Sequence, residues 1–220
     1  MSIRRIIHKG QSIPENKEII KSQFIEAIIN KRKELDILEV EDYRVLNKDE
    51  TPCLFEMGLD TTIDFKGKKE IEIETSGRDH YRITLILTVA ADGTKLPPIV
   101  IVKGEEGEII ENHLRKLDVK NNNLLVYCQR RGWCTNLFFI EWIKLVLLSY
   151  QRSIQEKCLV VLDKASSHIS NDSIGVLNEN GVNYILIPVG MTSICQPLDI
   201  AVNKIFKDNI RLLFEKERLI

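Results

Sequence analysis

Lys157-Cys-Leu-Val-Val-Leu-Asp163 sets an unbroken apolar run, Cys158 to Leu162, between a lysine and an aspartate. A strand that is hydrophobic at every position, rather than at alternate ones, is buried on both faces, as in the middle of a sheet covered by helices. Downstream, Ser170 is placed to cap a helix that stops at Asn180-Gly181. Val182–Ile187 reads as a short strand closed by Pro188, and Pro197 suits the first turn of a final helix running to the C-terminus. Upstream, Leu124–Cys128 reads as a strand, and Thr135 is placed to cap a helix carrying Phe138, Phe139, Trp142, Ile143, Val146 and Leu147. Trp133 and Trp142 are both read as core residues rather than base-stacking platforms.

Further toward the N-terminus, Lys69–Thr75 alternates charged and apolar residues, the pattern of a half-exposed strand. Tyr81–Ala91 is a longer β-branched strand, Asp92-Gly93 a hairpin turn, and Pro98–Val102 its return. Tyr43–Asp49 reads as the first strand, interrupted by Thr51-Pro52. In Glu15–Leu35, Ile20, Phe24 and Ile28 recur at four-residue intervals with Ile25 and Ile29 beside them, predicting an amphipathic helix with one buried stripe. The whole predicts an α/β mixed sheet with flanking helices on both faces, preceded by a short N-terminal helix. Residues 1–38 divide off as a helical segment and linker, and 39–220 as the main domain.

At 220 residues and 44% hydrophobic, the chain suffices for one sizeable core. A formal net charge of -1 argues against a free-standing nucleic-acid binder held by bulk positive charge. It leaves room for a nuclease, in which an acidic metal site offsets a basic face. The five scattered cysteines lack zinc-ligand spacing and read as reduced thiols. No apolar stretch is long enough to span a bilayer, so no membrane partner is expected.

Three aspartates stand where a rigid frame can present an acid: Asp49 at the end of the first strand, Asp163 at the end of the buried strand, Asp199 in the first turn of the last helix. If the two strands are parallel neighbours, their carboxylates share a crevice at the carboxyl end of the sheet, where such folds bind ligands. Clustered carboxylates repel one another unless a cation joins them, and hard oxygen ligands suit Mg²⁺ or Mn²⁺. Two such ions are the recurrent device of phosphodiester cleavage. Each acid also has a plain reading, as turn former, cap or helix N-terminal charge.

Asn47-Lys-Asp-Glu-Thr-Pro52 resembles the motif around the first catalytic aspartate of pogo/Tigger-type DDE transposases. Ala91-Asp-Gly-Thr-Lys-Leu-Pro-Pro-Ile-Val100 is similar to the hairpin of that family, and Arg131-Gly-Trp133 with Phe139-Ile-Glu-Trp142 to its strand–helix junction. Leu162-Asp-Lys-Ala-Ser-Ser-His168 resembles the second-aspartate motif, and Gly190 to Asp199 with Val202 to Lys207 the third. The resemblance runs in order from about Gly10 to the end. It implies an RNase H-like DDE endonuclease domain, two-metal DNA cleavage and strand transfer, nuclear action on DNA, and a catalytic, metal-binding triad of Asp49, Asp163 and Asp199.

His168 is read as positioning DNA, as orienting the second aspartate or as making a plain structural hydrogen bond, and Glu50 either as supporting Asp49 or as a turn residue. Lys204, Lys207 and Arg211 form a basic stripe for DNA phosphates or a plain solvated face, beside an apolar face of Val202, Phe206, Ile210 and Leu213. Only 48 residues precede Asp49, too few for the helix-turn-helix module with which that family reads DNA. A homodimer or a separate DNA-targeting protein is therefore an expected partner. The alternative is a catalytically silent, transposase-derived nuclear protein that binds DNA or other proteins.

Overall fold

In the computed structural model, which describes residues 13–54, 82–104 and 124–218, six strands form one mixed sheet. In chain order they are β1 (Val45–Leu54), β2 (Arg82–Ala90), β3 (Ile99–Lys103), β4 (Leu125–Gln129), β5 (Leu159–Leu162) and β6 (Asn183–Leu186). Across the sheet the order is β4-β3-β2-β1-β5-β6. Only β2 runs against the others. The strand expected at Lys69–Thr75, and Tyr81 ahead of β2, lie outside the described residues.

All four residues of β5 are buried, as its unbroken apolar run requires. On one face lie α2 (Asn136–Trp142), a π-helical turn (Ile143–Leu147), α3 (Leu148–Ile154) and α4 (Asn171–Glu179). Phe139, Trp142, Ile143 and Leu147 pack there with Leu46, Ile86, Val160, Leu162 and Leu177. On the other face α1 (Lys17–Glu34) inserts Phe24 beside Val161, Ile187 and Met191. Ser170 caps α4 by accepting from the Ser173 N–H, and Asn180 and Gly181 (φ +60°) end it, as predicted. The hairpin after β2 turns at Asp92-Gly93.

Several expectations are corrected. Thr51-Pro52 does not break β1, which pairs with β2 from Leu46 to Leu54. Its pairing with β5 covers only Val45–Asn47, so Pro52 falls where one side of β1 has no strand neighbour and a missing N–H is tolerated. Asp49 is thus in the middle of a strand, not at its end. The helix bearing Phe139 is not capped by the Thr135 side chain. Ile25 and Ile29 are exposed, because only the Ile20–Phe24–Ile28 stripe of α1 meets the sheet. Trp142 is fully buried, but Trp133 is 58% exposed.

Trp142 also donates from Nε1 to Thr88 Oγ1 at 2.8 Å, tying α2 to β2. Trp142→Ala leaves a cavity and an unpaired buried hydroxyl, at a cost of about 3–5 kcal/mol. Urea unfolding checks this; an unchanged midpoint would remove Trp142 from the core.

Candidate active site

Side chains of a strand alternate between faces, and β1 uses both. Its even positions face α2: Leu46 joins that core, and the Lys48 ammonium lies 5.1 Å from the Phe139 ring centroid and 5.9 Å from that of Trp142. Its odd positions face the C-terminal segment, where Asn47 Oδ1 accepts from the Leu198 N–H at 3.1 Å. Adjacent Asp49 and Glu50 therefore stand in separate environments.

Asp49 meets a π-helical turn (Leu198–Val202) followed by α5 (Asn203–Arg218). This turn replaces the regular first turn expected after Pro197. Asp199 sits in it, and Asn203 lies one helical turn further on. The Asn203 Nδ2 group donates to Asp49 Oδ2 at 2.6 Å and to Asp199 Oδ1 at 3.0 Å, so one amide joins the two acids. Burial, then the Asp199 charge, then Glu50, push the Asp49 carboxyl up to about 7, against the bond from Asn203. Asn203 Oδ1 is buried without a protein partner beside this pair. Two mutually repelling carboxylates and a spare amide oxygen form a hard-oxygen donor set of the kind that suits a hydrated Mg²⁺ or Mn²⁺.

Asp163 directly follows β5. The register pair Asn47–Val161 puts it level with Asp49, two residues on in each strand. Its Oδ1 accepts from His168 Nδ1 at 2.6 Å and from the Ala165 N–H at 3.3 Å. His168 Nε2 lies 3.0 Å from Glu50 Oε1 and 2.6 Å from Lys48 Nζ, and the Lys48 ammonium donates to Glu50. Lys48 and His168 are both fully buried. A neutral imidazole accepts from Lys48, and a protonated one donates to Glu50. Burial and Lys48 oppose protonation of His168, but Asp163 and Glu50 outweigh them and raise its pKa. Burial likewise opposes ionisation of Glu50, but Lys48 and His168 hold its carboxyl well below the usual range.

The structure thus joins Asp49 to Asp199 through Asn203 and places Asp163 on the adjoining strand. Among the described residues, the ligand atoms that all lie within 4.8 Å of one another are those of Glu50, Asp163 and His168, not the three aspartates. Lys48 already supplies a cation to that group. His168, buried against Phe139 at 4.5 Å between ring centroids, is not available to touch DNA in this arrangement. Lys204 is exposed, whereas Lys207 and Arg211 are half-buried, near enough to Cys53 to oppose in part the burial that raises its thiol. Arg211 also pairs with Asp208 at 2.8 Å. The plain solvated face is therefore corrected at these two positions, and Leu213, expected on the apolar face, is 62% exposed. Sequence reasoning missed Lys48 and Asn203. Spacing carries a signal for both: Lys48 is two from Glu50 on a strand, and Asn203 four from Asp199 on a helix.

A carboxyl raised in the folded state weakens the fold as pH climbs from its ordinary value of 3.8 through about 7, with the full penalty above that. In chelator, Asp49→Asn is expected to melt several degrees above wild type at pH 8, a gap that narrows toward pH 5. Scanning fluorimetry across pH reads it; a gap of constant size would dissociate Asp49 from the effect. Lys48→Met strands the buried Glu50 charge and should cost about 3–5 kcal/mol in urea unfolding. Adding Glu50→Gln should recover much of that loss, and a double variant no more stable than the single would refute the pairing.

A family model described as DDE superfamily endonuclease matches residues 80–219. The chain is 27% identical over 219 residues to a human protein named "Pogo transposable element with KRAB domain", and 29% identical over 184 residues to its mouse counterpart. It spans 33% and 28% of their lengths. Among solved structures it resembles the Mos1 mariner paired end complex with Mn, with a TM-score of 0.55 and 12% identity over 93% of this chain and 53% of that one. It also resembles the catalytic domain of Mos1 mariner transposase, with a TM-score of 0.50 and 11% identity over 93% of this chain and 76% of that one. The mixed sheet is RNase H-like, and the chain belongs to the DDE superfamily endonuclease family.

Proposed function

We propose that this chain is the core of a DDE-type transposase, cutting and joining DNA strands with two Mg²⁺ or Mn²⁺ ions. The observation that carries this reading is the Asp49–Asn203–Asp199 unit beside Asp163, at the notch where β5 ends and β1 continues. Asp49, Asp163 and Asp199 would hold the metal. Bound there, it supplies charge stabilisation on the phosphate and activation of the attacking oxygen. Asn203 orients Asp49 and Asp199, and His168 holds Asp163 through Oδ1. Lys48 and Glu50 brace His168 from the core side.

DNA as the partner is supported by the family and by the likeness to Mos1 transposase paired-end complexes, one of them with the left transposon end. A nuclear location follows from that substrate. Residues 39–220 are taken as the catalytic unit, with 1–38 as its leading helical segment. A homodimer or a separate targeting protein would bring it to its site. The second reading, a silent DNA- or protein-binding descendant, is favoured by one observation: among the described residues, the close group of Glu50, Asp163 and His168 is already balanced by Lys48.

Mg²⁺ or Mn²⁺ titrated into wild type and Asp163→Asn, followed by calorimetry and plasmid nicking, tests the proposal. Metal binding and nicking in wild type, both lost in the variant, are expected. Binding without nicking favours the silent reading, and absence of binding overturns the metal site.

A further inference from the structure

Trp133 has no place in either buried cluster, although its sequence neighbours are anchored. The turn that presents it is tightly made. Gln129 Oε1 accepts from the Arg131 N–H at 2.7 Å and the Trp133 N–H at 3.3 Å. Thr84 Oγ1 donates to Gly132 O at 2.6 Å from inside the sheet. Gly132 has φ +63°, and a Cβ there would lie 3.2 Å from Lys103 Cβ, so the position suits glycine for both conformation and space. On this turn the Trp133 ring is 58% exposed, and the Arg82 guanidinium lies 4.0 Å from its centroid.

The place is as informative as the ring. Arg82 opens β2 opposite Leu54, the last residue of β1, while Trp133 follows the end of β4. Both therefore lie at the sheet end where Asp163 follows β5. Burial raises the thiol of the next residue, Cys134, and the charges of Glu50 and Asp163 are near enough to raise it further. An exposed indole backed by a guanidinium thus stands at the margin of the acidic site.

We propose that Trp133, backed by Arg82, is a stacking platform for an unpaired DNA base beside the acidic centre, a site that rests on the reading of that centre as DNA-cleaving. Both faces of a base inside a duplex are covered by its neighbours, so a lone ring can take only a terminal or extruded base. Stacking on an aromatic face tolerates any base, and arginine adds a cation close to the backbone phosphates.

The chain has two tryptophans, and the other, Trp142, is buried beyond the reach of DNA, so a quench on binding is assigned to Trp133 once the Trp142 emission of Trp133→Phe has been subtracted. Full-length protein in chelator would be titrated with a labelled blunt duplex and with the same duplex carrying a short single-stranded 3′ tail. Emission and DNA anisotropy would be read together. The tailed duplex should quench emission; Trp133→Phe should abolish the quench yet keep most of the affinity. Trp133→Ala should weaken binding of tailed DNA about tenfold and binding of the blunt duplex, whose terminal bases stay paired, by much less, with Arg82→Leu in between. Tailed DNA bound without quench, or equal weakening of both duplexes by Trp133→Ala, overturns the platform and leaves DNA binding standing. Binding of neither duplex overturns the DNA reading and the platform with it. Unchanged circular dichroism of the variants excludes unfolding as the cause.

Discussion

Three residues of parallel pairing, Val45–Asn47 against Leu159–Val161, fix the geometry on which the candidate site depends. Beyond Asn47, β1 continues along β2 while β5 ends, leaving an open step on one side of a central strand. A paired strand cannot slip by one residue without turning every side chain to the other face. Here that register holds Asp49 level with Asp163 and turns Asp49 toward Asp199.

The same alternation divides charge across the sheet. On the odd face, Asp49 and Asp199 share a single amide and repel, so burial and charge drive the Asp49 carboxyl toward neutrality. On the even face, Lys48 is enclosed by Phe139 and Trp142 and finds Glu50 and His168 as partners, so the charges there are balanced within the core. One side is a carboxylate pair in want of a cation, and the other carries its own. Asp163 meets the balanced side at His168 Nδ1, through Oδ1 and its backbone carbonyl, which makes it the link between the two. The π-helical turn at Leu198–Val202 belongs to the same design, since it sets Asp199 and Asn203 at the level of Asp49; such turns recur at functional sites.

Much of this was legible in the chain. The apolar run Cys158–Leu162 specified a doubly covered strand, Asp92-Gly93 specified the hairpin, and Ser170 with Gly181 bounded a helix, because each is a local preference that packing reinforces. Errors arose where a local signal met a nonlocal partner. Pro52 reads as a strand breaker, yet β2 pairs straight through it on the side that needs no proline N–H. Trp133 reads as core because tryptophan usually is; its turn, bonded to Gln129 and Thr84, holds it outward. The alternative reading of Lys207 and Arg211 as a plain solvated face fails because both are half-buried; periodicity gives the face of a helix but not what that face meets.

The sequence by itself determined the order of elements, the burial of β5, the turns and the presence of three aspartates in motif settings, because these depend on neighbours a few residues apart. Only the tertiary structure decided which acids meet. The bond from Asn203 to Asp49, and the contacts of Lys48 and Glu50 with His168, span separations of more than a hundred residues. Such contacts are set by strand register and helix docking, and no local pattern encodes the side on which two distant side chains will face each other.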